Sequence, residues 1–180
     1  MSGPVLETER LVLRRWRPAD CDVMAAINTD PAVMAFLGPP LTRAQSDAGI
    51  DRIEQSFDER GFGLWAVDLK GPSRCIGFLG LSVPRFDTHF TPCVEIGWRL
   101  DRACWGLGYA PEGARAVLAF AFDELGLDEV VSFTTSGNDK SRRVMDKIGL
   151  THDPADDFDH PNLPEGNPLR PHVLYRGRRP

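Results

Sequence analysis

The segment spanning residues 93–125 constrains the fold of this chain more than any other part of its sequence. An apolar run at residues 93–100 predicts a strand, and two glycines follow it within residues 105–110. Pro111 favours the start of a helix near that position, and Gly126 favours its end. The order of strand, loop and helix predicts a ligand-binding connection in an α/β domain. Helical spacing of apolar residues follows at Ala114, Val117, Leu118, Ala121, Phe122 and Leu125.

The N-terminal region carries the pattern of a strand followed by a helix. Val5, Leu11 and Leu13 alternate with the residues between them, which predicts a first strand with one apolar face. Pro18 ends that strand. Asp20 is predicted to cap the following helix, because its carboxylate can accept hydrogen bonds from free N–H groups at a helix start.

A second helix and a hairpin are predicted next. Thr42 and Gln45 form a capping-box pattern, in which two side-chain oxygens satisfy free N–H groups at the start of a helix. Strand patterns at residues 64–69 and 75–81 flank turn-forming residues at 70–73. This arrangement predicts an antiparallel hairpin.

The rest of the chain predicts alternating strands and helices. Residues 130–135 form a short predicted strand, residues 141–148 a helix capped by Gly149, and residues 172–175 a last strand. An antiparallel first half therefore runs into a second half that resembles a βαβ unit. The predicted fold class is mixed α/β (α+β), with a mostly antiparallel central sheet flanked by helices in a single domain over residues 1–180.

Length, charge and cysteine content narrow the classes of function. With 180 residues, the chain can bury one core without disulfides or a metal. Its 21 Lys and Arg against 26 Asp and Glu give a net charge of −5, which argues against nonspecific DNA or RNA binding. The four cysteines show no zinc spacing, so we expect no metal. Because no signal-peptide pattern and no membrane-length apolar run occur, we expect a cytoplasmic protein.

Acidic residues crowd the region before the last predicted strand. They lack the spacing and the glycine of a calcium-binding loop, which favours a solvated acidic loop over a metal site. No partner at metal spacing accompanies His160 or His172. The acidic residues are Asp153, Asp156, Asp157 and Asp159.

The loop W-G-L-G-Y-A at residues 105–110 is the strongest functional signal. Glycines let a ligand approach the backbone closely, and a helix N-terminus offers unpaired N–H groups with positive partial charge. Both features suit a pyrophosphate, although two glycines alone are also compatible with an ordinary turn. The nucleotide-kinase loop matches poorly because its Lys is absent. The dinucleotide fingerprint matches poorly because Pro111 stands in place of its third glycine.

Three motifs occur in order along the chain. They are ETERLVLR at residues 7–14, EIGWRL followed by WGLGYAPEG within residues 95–113, and NDKSRRVMDKIGL at residues 138–150. Together they resemble the GNAT acetyltransferase superfamily, and within it the branch of RimJ/RimL-type ribosomal-protein N-terminal acetyltransferases. The resemblance covers nearly the whole chain. It implies a GNAT-like sheet, acetyl-CoA as cosubstrate without a metal, and direct acetyl transfer to a primary amine of a small molecule or a protein N-terminus.

The resemblance also implies a set of cofactor-binding residues. Backbone N–H groups of the loop would hold the pyrophosphate of acetyl-CoA. The edge of the predicted strand at Trp98 and Leu100 would pair with the pantetheine amides. Asn138 and Ser141 would line the thioester end. The loop residues are Trp105, which stands where the superfamily generally has Gln or Arg, followed by Gly106, Leu107, Gly108, Tyr109, Ala110 and Pro111.

Glu95 and Ser141 are the candidate catalytic residues. An amine must lose a proton before it attacks the thioester, and the leaving thiolate must be reprotonated. Glu95, a carboxylate in an apolar strand, is the candidate base through water, and the alternative is a structural ion pair with Arg99. Ser141 is the candidate group that hydrogen-bonds or protonates the thiolate, and the alternative is the N-cap of its helix. Met145 stands where many GNAT enzymes have a Tyr acid.

Two classes of function remain open at this point. The first is an active N-acetyltransferase. The second is a noncatalytic acyl-CoA-binding or sensing module that keeps the loop and has lost the chemistry. A ribosome-associated binding protein is disfavoured by the acidic charge balance. The sequence does not identify the acceptor amine, and we expect a monomer or homodimer that binds neither DNA nor a membrane.

Overall fold

The computed structural model describes residues 3–71 and 74–179, which form one continuous sheet flanked by helices. The strands in these residues are β1 Leu6–Glu7, β2 Leu11–Arg14, β3 Leu64–Leu69, β4 Arg74–Ser82, β5 Glu95–Leu100, β6 Glu129–Thr135, β7 Thr151–His152, β8 Phe158–Asp159 and β9 Pro171–Arg178. The α-helices are α1 Asp20–Thr29, α2 Pro31–Met34, α3 Arg43–Arg60, α4 Tyr109–Ala119 and α5 Asp139–Lys147. A π-helical turn, Phe120–Glu124, prolongs α4, and 3₁₀ turns lie at Arg102–Cys104 and Pro154–Asp156. Within these residues no helix is long and apolar enough to cross a membrane.

The sheet runs in the order β1-β2-β3-β4-β5-β6-β9-β7, and β8 pairs with β9. Every pairing is antiparallel except the one between β5 and β6. These two strands are joined through α4, as a parallel pair requires a crossover connection. The predicted mixed α/β class with a mostly antiparallel sheet is therefore confirmed.

Helix α4 packs closely on the sheet through its apolar face. Ala114 and Val117 are fully buried in the main core cluster, together with Leu11 and Leu79 of the sheet. At Gly113 an added Cβ would lie 3.1 Å from Leu79 Cδ1 and 3.3 Å from Leu11 Cδ1. A larger residue at that position would therefore require these leucine side chains to shift by a few tenths of an ångström. This contact holds the N-terminus of α4 at the end of β5.

Several predicted elements are confirmed. Thr42 Oγ1 accepts from the N–H of Gln45 at 3.2 Å, and Gln45 Oε1 accepts from the N–H of Thr42 at 2.8 Å. Helix α3 ends at Gly61, whose φ of 78° is left-handed. Strands β3 and β4 form the expected antiparallel hairpin. In its turn, Pro72 and Ser73 lie outside the described residues.

Two predictions in the N-terminal region are wrong. Val5 lies before the edge strand β1 and is 56% exposed, because no further strand covers it. Asp20 does not cap α1, whose N-cap is Ala19. The Asp20 carboxylate instead accepts from the N–H of Arg17 at 2.7 Å and from the guanidinium of Arg14. A buried cation competes for this carboxylate more strongly than the helix N–H groups do.

Two helices begin earlier than the sequence predicts, and β5 begins two residues later. Helix α4 starts at Tyr109 because Gly108, in a left-handed conformation, acts as its N-cap. Helix α5 starts at Asp139 because Asn138 caps it. Gly149, with φ of 83°, follows the end of α5 as expected. Both helices thus begin two residues earlier than predicted, which places Gly108 and Asn138 directly at their N-termini.

Candidate active site

The loop between β5 and α4 presents a row of unpaired backbone donors. Gly106 and Gly108 have φ of 76° and 85°, in the left-handed region that favours glycine. Among the described residues, none accepts a hydrogen bond from the N–H groups of residues 106–110. Pro111 has no N–H, so the donors end at Ala110 and the predicted role of Pro111 as a donor is wrong. These N–H groups and the positive end of α4 make the loop a candidate anion site.

Arg10, which directly precedes β2, fastens this loop to the sheet. Its Nη1 donates to the carbonyl of Leu107 at 2.9 Å, and its guanidinium lies 4.5 Å from the ring centroid of Tyr109. It also forms an ion pair with Glu112 at 2.6 Å. Burial alone would raise the pKa of Glu112, but hydrogen bonds from Thr8 and Arg10 outweigh it and lower that pKa. The shape of the loop is thus set before any ligand binds.

Trp105 has a structural role at the start of the loop. Its indole Nε1 donates to the carbonyl of Leu100 at 2.9 Å, and its ring packs against the core. Lys140 of α5 places its Nζ 4.2 Å from the centroid of the Trp105 ring. A cation–π contact of this kind holds a positive charge beside the loop. Lys140 therefore adds positive charge to the surroundings of the candidate anion site, whereas the charge of Arg10 is balanced by Glu112.

Strands β5 and β6 meet only at one end. Their register pairs Glu95 with Val131, whose N–H donates to the carbonyl of Val94 at 2.9 Å. Ser132 Oγ donates to the carbonyl of Ile96 at 2.8 Å. No further pair joins the two strands within the described part of the chain, although both continue for several residues. They therefore separate toward the loop and leave an opening between them.

The backbone groups that face this opening belong to Trp98 and Leu100. The carbonyls of Val94 and Ile96 point toward β6, and backbone groups alternate between the two edges of a strand. The groups of Trp98 and Leu100 therefore point the same way. Because the Leu100 carbonyl already accepts from Trp105, Leu100 offers only its N–H. Trp98 offers both its N–H and its carbonyl to a ligand.

Asn138 and Ser141 lie on the opposite side of the opening, at the start of α5. Asn138 Oδ1 accepts from the N–H of Ser141 at 3.3 Å, and Asn138 Nδ2 donates to Ser141 Oγ at 3.1 Å and Thr134 Oγ1 at 2.9 Å. Asn138 is the N-cap of α5, so the alternative interpretation of Ser141 as the cap is wrong. Ser141 Oγ accepts in this network, and its own proton remains available to a ligand. Met145, one turn later, is buried in the core.

Glu95 lies on the face of β5 opposite the main core. Ile96 is fully buried in that core, and strand alternation places Glu95, Gly97 and Arg99 on the other face. Ser82 Oγ on β4 donates to Glu95 Oε2 at 3.1 Å. Burial raises the pKa of Glu95 to about 7, and the hydrogen bond from Ser82 offsets only part of this effect. A Cβ added at Gly97 would meet only the Glu95 carboxylate, at 3.8 Å, so the space beside it is open.

Arg99 does not form the ion pair with Glu95 that was the alternative to a catalytic role. Its Nη1 donates to Asn28 Oδ1 at 2.6 Å, and its Cζ lies 5.3 Å from the ring centroid of Phe78. Its Nε is buried and has no hydrogen-bond partner in residues 3–71 and 74–179. Burial lowers the pKa of Arg99 to about 10.

A cavity of about 380 Å³ lies on this face, between α1, α3 and the strands β4 and β5. Ser82, the hydrogen-bond partner of Glu95, and Arg99 both line it. The cavity is thus next to Glu95 and is the candidate acceptor site. Its apolar lining includes Trp16, Met24, Ile50 and Phe78, and its other charged lining residues are Arg52, Glu59, Arg60 and Arg85.

Two other clusters of acidic groups are ion-pair networks. In the described residues, Asp20, Asp68 and Cys75 form the one group of three possible metal ligands. Arg14 donates to both carboxylates at 2.7 Å and occupies the space between them. In the acidic stretch before β9, the expectation of a solvated loop is wrong in part. Arg176 pairs with Asp156 at 2.7 Å, and Arg170 pairs with Asp159 at 3.2 Å.

Four residues of the site escaped the sequence interpretation. Arg10 and Lys140 lie inside the quoted motifs, but nothing local shows that they contact Tyr109 and Trp105. Ser82 and Asn28 contact Glu95 and Arg99 only through the register of β4 with β5 and the packing of α1. The one sequence signal that pointed to this part of the site was the presence of two charged residues, Glu95 and Arg99, four positions apart in an apolar strand.

A family model described as an acetyltransferase (GNAT) domain matches residues 10–151. The match runs from Arg10 through the cofactor loop and α5, and it covers more than half of the chain. The chain therefore belongs to the GNAT acetyltransferase family, as its motifs predict. It is an acetyl-CoA-dependent acetyltransferase, and acetyl-CoA is its cosubstrate.

Individual relatives agree with this assignment. The FsC-acetyl coenzyme A-N(2)-transacetylase of Aspergillus fumigatus is 34% identical over 156 residues, which cover 83% of this chain and 66% of that protein. An acetyltransferase from Agrobacterium tumefaciens str. C58 superposes with a TM-score of 0.80 at 30% identity, covering 99% of this chain and 96% of that one. The ribosomal-protein-S5-alanine acetyltransferase from Vibrio fischeri has a TM-score of 0.75 at 17% identity, with 97% and 96% covered. At that identity the likeness shows the fold alone.

Proposed function

We propose that this protein transfers the acetyl group of acetyl-CoA directly to a primary amine, without an acyl-enzyme intermediate. One observation carries the proposal: an anion site, an open strand edge and a carboxylate of raised pKa follow one another along β5 and its loop. Together they would hold the pyrophosphate, the pantetheine arm and the incoming amine of one reaction. The predicted branch, that of the RimJ/RimL-type enzymes, is part of this proposal and rests on the three sequence motifs.

The cofactor would lie in the opening between β5 and β6. Its pyrophosphate would accept hydrogen bonds from the N–H groups of residues 106–110, near the positive charge of Lys140. Its pantetheine amides would pair with the carbonyl of Trp98 and the N–H of Leu100, because those groups point into the opening. The thioester would then lie near Gly97, with Asn138 and Ser141 across the opening.

Glu95 would act as the general base. An ammonium group has no lone pair, so it must give up a proton before it attacks the carbonyl carbon of the thioester. A carboxylate with a pKa of about 7 is a better base near neutral pH than an ordinary one, and a water molecule can relay the proton. The carbon–nitrogen bond forms first and gives a tetrahedral intermediate, whose negative oxygen the N–H of Trp98 can stabilise.

Ser141 would assist the leaving group. When the carbon–sulfur bond breaks, its electron pair goes to the sulfur, which must then be hydrogen-bonded or take up a proton. The hydroxyl proton of Ser141 is available for this, because its oxygen accepts from Asn138. Met145, in the place of the usual Tyr, has no proton to give.

The proposal is tested by measuring release of the CoA thiol from acetyl-CoA with a panel of small amines and N-terminal peptides. Amine-dependent release, with the acetylated amine identified by mass spectrometry, is the expected result. If acetyl-CoA binds but none of the small amines and peptides is acetylated, the result favours the alternative of a noncatalytic acyl-CoA-binding module.

The anion site is tested by the substitution Gly108→Glu. It places a side chain and a negative charge beside the pyrophosphate, so we expect it to abolish the thermal stabilisation that acetyl-CoA gives the wild type. Gly126→Glu is the matched control, because Gly126 also has a positive φ, of 67°, and lies beyond the other end of the same helix. The control should lose stability through the same backbone strain and still respond to acetyl-CoA. An unchanged response in Gly108→Glu would show that the pyrophosphate binds elsewhere.

A further inference from the structure

We propose that the acceptor is an amine that also carries a carboxylate, and that Arg99 binds this carboxylate in the cavity between α1, α3 and the sheet. The inference rests on the proposed N-acetyltransferase function and narrows its substrate class. It concerns a residue whose side chain has no role in holding the cofactor. Its basis is the arrangement of charges around the cavity.

Arg99 is a half-buried cation that forms no ion pair with any described residue. Burial of a charge is costly unless an opposite charge compensates it. In the described part of the chain, the side chain has one hydrogen bond, to the amide oxygen of Asn28, and the ring of Phe78. Its lowered pKa has burial as its only cause, whereas a neighbouring carboxylate would raise it. A ligand that brings a negative charge would therefore remove an existing penalty.

The free edge of the guanidinium is suited to a carboxylate. Nη1 is used by Asn28, whose own Nδ2 donates to Ser46 Oγ at 2.9 Å, so the side chain is held in one orientation. Nε is buried and has no hydrogen-bond partner among the described residues. Together with Nη2 it forms the side of the group that binds two carboxylate oxygens through parallel hydrogen bonds. A carboxylate needs no donor beyond the two of this edge.

The rest of the cavity has the same sign of charge. Its lining includes Arg52, Arg60 and Arg85 besides Arg99, against one carboxylate, Glu59. None of these arginines forms an ion pair with any residue in 3–71 or 74–179, although the chain as a whole has a net charge of −5. A positively charged cavity in an acidic protein raises the local concentration of anionic ligands.

The geometry lets one small molecule reach both sites. The open space beside Gly97, where the amine would meet the thioester, is two residues from Arg99 on the same face of β5. Two residues of strand span roughly 7 Å. An amine separated from its carboxylate by a few bonds can therefore bind Arg99 while its nitrogen lies near Glu95.

The experiment compares amines in matched pairs that differ only in the carboxylate. We would use 4-aminobutyrate with butylamine, 6-aminohexanoate with hexylamine, and L-phenylalanine with 2-phenylethylamine, and add O-phosphoethanolamine as a phosphate-bearing amine. Acetylation is followed by CoA thiol release, and binding is followed separately by calorimetry in the presence of CoA. In the wild type, kcat/KM and affinity should both be higher for the carboxylated member of at least one pair.

Arg99→Gln should remove that preference, because glutamine has no charge to offer the carboxylate. A hydrogen-bonded charge contributes on the order of 10-fold to 100-fold in affinity, so the ratio within a pair should fall by about that factor. Arg99→Lys should keep part of it. Arg43→Gln is the matched control. Arg43 is in α3, which borders the cavity, but its side chain lies outside the cavity lining and pairs with Asp22 and Asp47. It should leave the ratio unchanged, and thermal denaturation would verify that all variants fold.

Three results would overturn the inference. They are equal rates and affinities within every pair, a preference that survives in Arg99→Gln, and a preference for O-phosphoethanolamine over the carboxylated amines. If no amine is acetylated, the proposed function fails on its own. The calorimetric comparison would still decide whether Arg99 binds carboxylates.

Discussion

Two arginines of the same sheet have opposite surroundings: Arg14 on β2 is buried between carboxylates, and Arg99 on β5 is half-buried beside a cavity. Burial would lower the pKa of Arg14, yet hydrogen bonds and charge attraction from Asp20 and Asp68 outweigh it and raise that pKa. Arg99 has an amide and an aromatic ring beside it, and its pKa falls to about 10. The first arginine is compensated within the protein, whereas the second is compensated only when a ligand supplies the anion.

The carboxylates of these two regions differ in the same way. Burial would raise the pKa of Asp20, but bonds from Arg14 and Arg17 lower it. Among the described residues, Glu95 has only the hydroxyl of Ser82 as a hydrogen-bond partner, and its pKa rises to about 7. A buried charge that is fully paired is already satisfied by its neighbours, and one left unpaired in a cleft is available for binding or proton transfer. The difference distinguishes structural from functional charges on one sheet.

The largest loss of stability should come from Arg14→Met, which removes the cation that pairs with Asp20 and Asp68. Removal of the cation leaves two buried carboxylates without a partner, which should cost about 3–5 kcal/mol in the free energy of unfolding. Arg99→Met should change it by less than about 1 kcal/mol, because no anion is left behind. Urea denaturation of the two variants measures the difference. Similar losses in both would show that the two arginines stabilise the fold equally.

The next effect should come from Glu95→Gln, which removes the proposed base and keeps its shape. The rate should fall by roughly a hundredfold near neutral pH, the usual loss for a general base. In the wild type, activity should rise as the pH passes about 7, because the carboxylate must be ionised to accept a proton. The variant should lack this inflection and regain part of its rate at high pH, where more free amine is present. Full activity with an unchanged pH–rate profile would show that another group takes the proton.

Glu95→Gln should lower the rate but raise the free energy of unfolding at neutral and higher pH. The pKa of Glu95 is raised from its usual 4.5 to about 7 by folding, so the folded state binds the proton more tightly than the unfolded chain. The resulting stabilisation is complete below pH 4.5 and is lost as the pH rises through 7. The difference in the free energy of unfolding between Glu95→Gln and the wild type should therefore be more favourable to the variant at pH 8 than at pH 4, by on the order of 2 kcal/mol. Thermal denaturation at the two pH values measures this gain, which Arg14→Met should not show.

The smallest effects should come from α5, where the same comparison applies to Asn138 and Ser141. Asn138 uses its side chain in hydrogen bonds within the protein, whereas the hydroxyl proton of Ser141 is free for a ligand. Ser141→Ala should lower kcat by roughly tenfold, the low end of an acid–base contribution, with little change in melting temperature. Asn138→Ala should instead cost about 1 kcal/mol of stability through loss of the helix cap. Steady-state kinetics and thermal melts on both variants separate the two roles. A Ser141→Ala enzyme that melts early at full kcat would make Ser141 structural.

Features with a local cause were predictable from the sequence. The capping box of α3, the hairpin of β3 and β4, and the cofactor loop all depend on residues within a few positions of one another. Gly106 and Gly108 permit left-handed backbone wherever the loop lies, and a helix N-terminus has free N–H groups in any fold. For this reason the left-handed glycines and the free N–H groups of the loop could be predicted from the sequence, and its role in binding an anion stays a prediction.

Only the tertiary structure decided which charges have partners. Asp20 meets Arg14 rather than its own helix, and Arg99 fails to meet Glu95 although both are on one face of β5. The Leu100 carbonyl accepts a hydrogen bond from Trp105. The N–H and carbonyl of Trp98 have no partner strand beside them, because β6 diverges from β5. These outcomes depend on strand register and helix packing between segments tens of residues apart. A sequence states which groups can ionise or donate, but burial and the distance between elements determine whether they are paired.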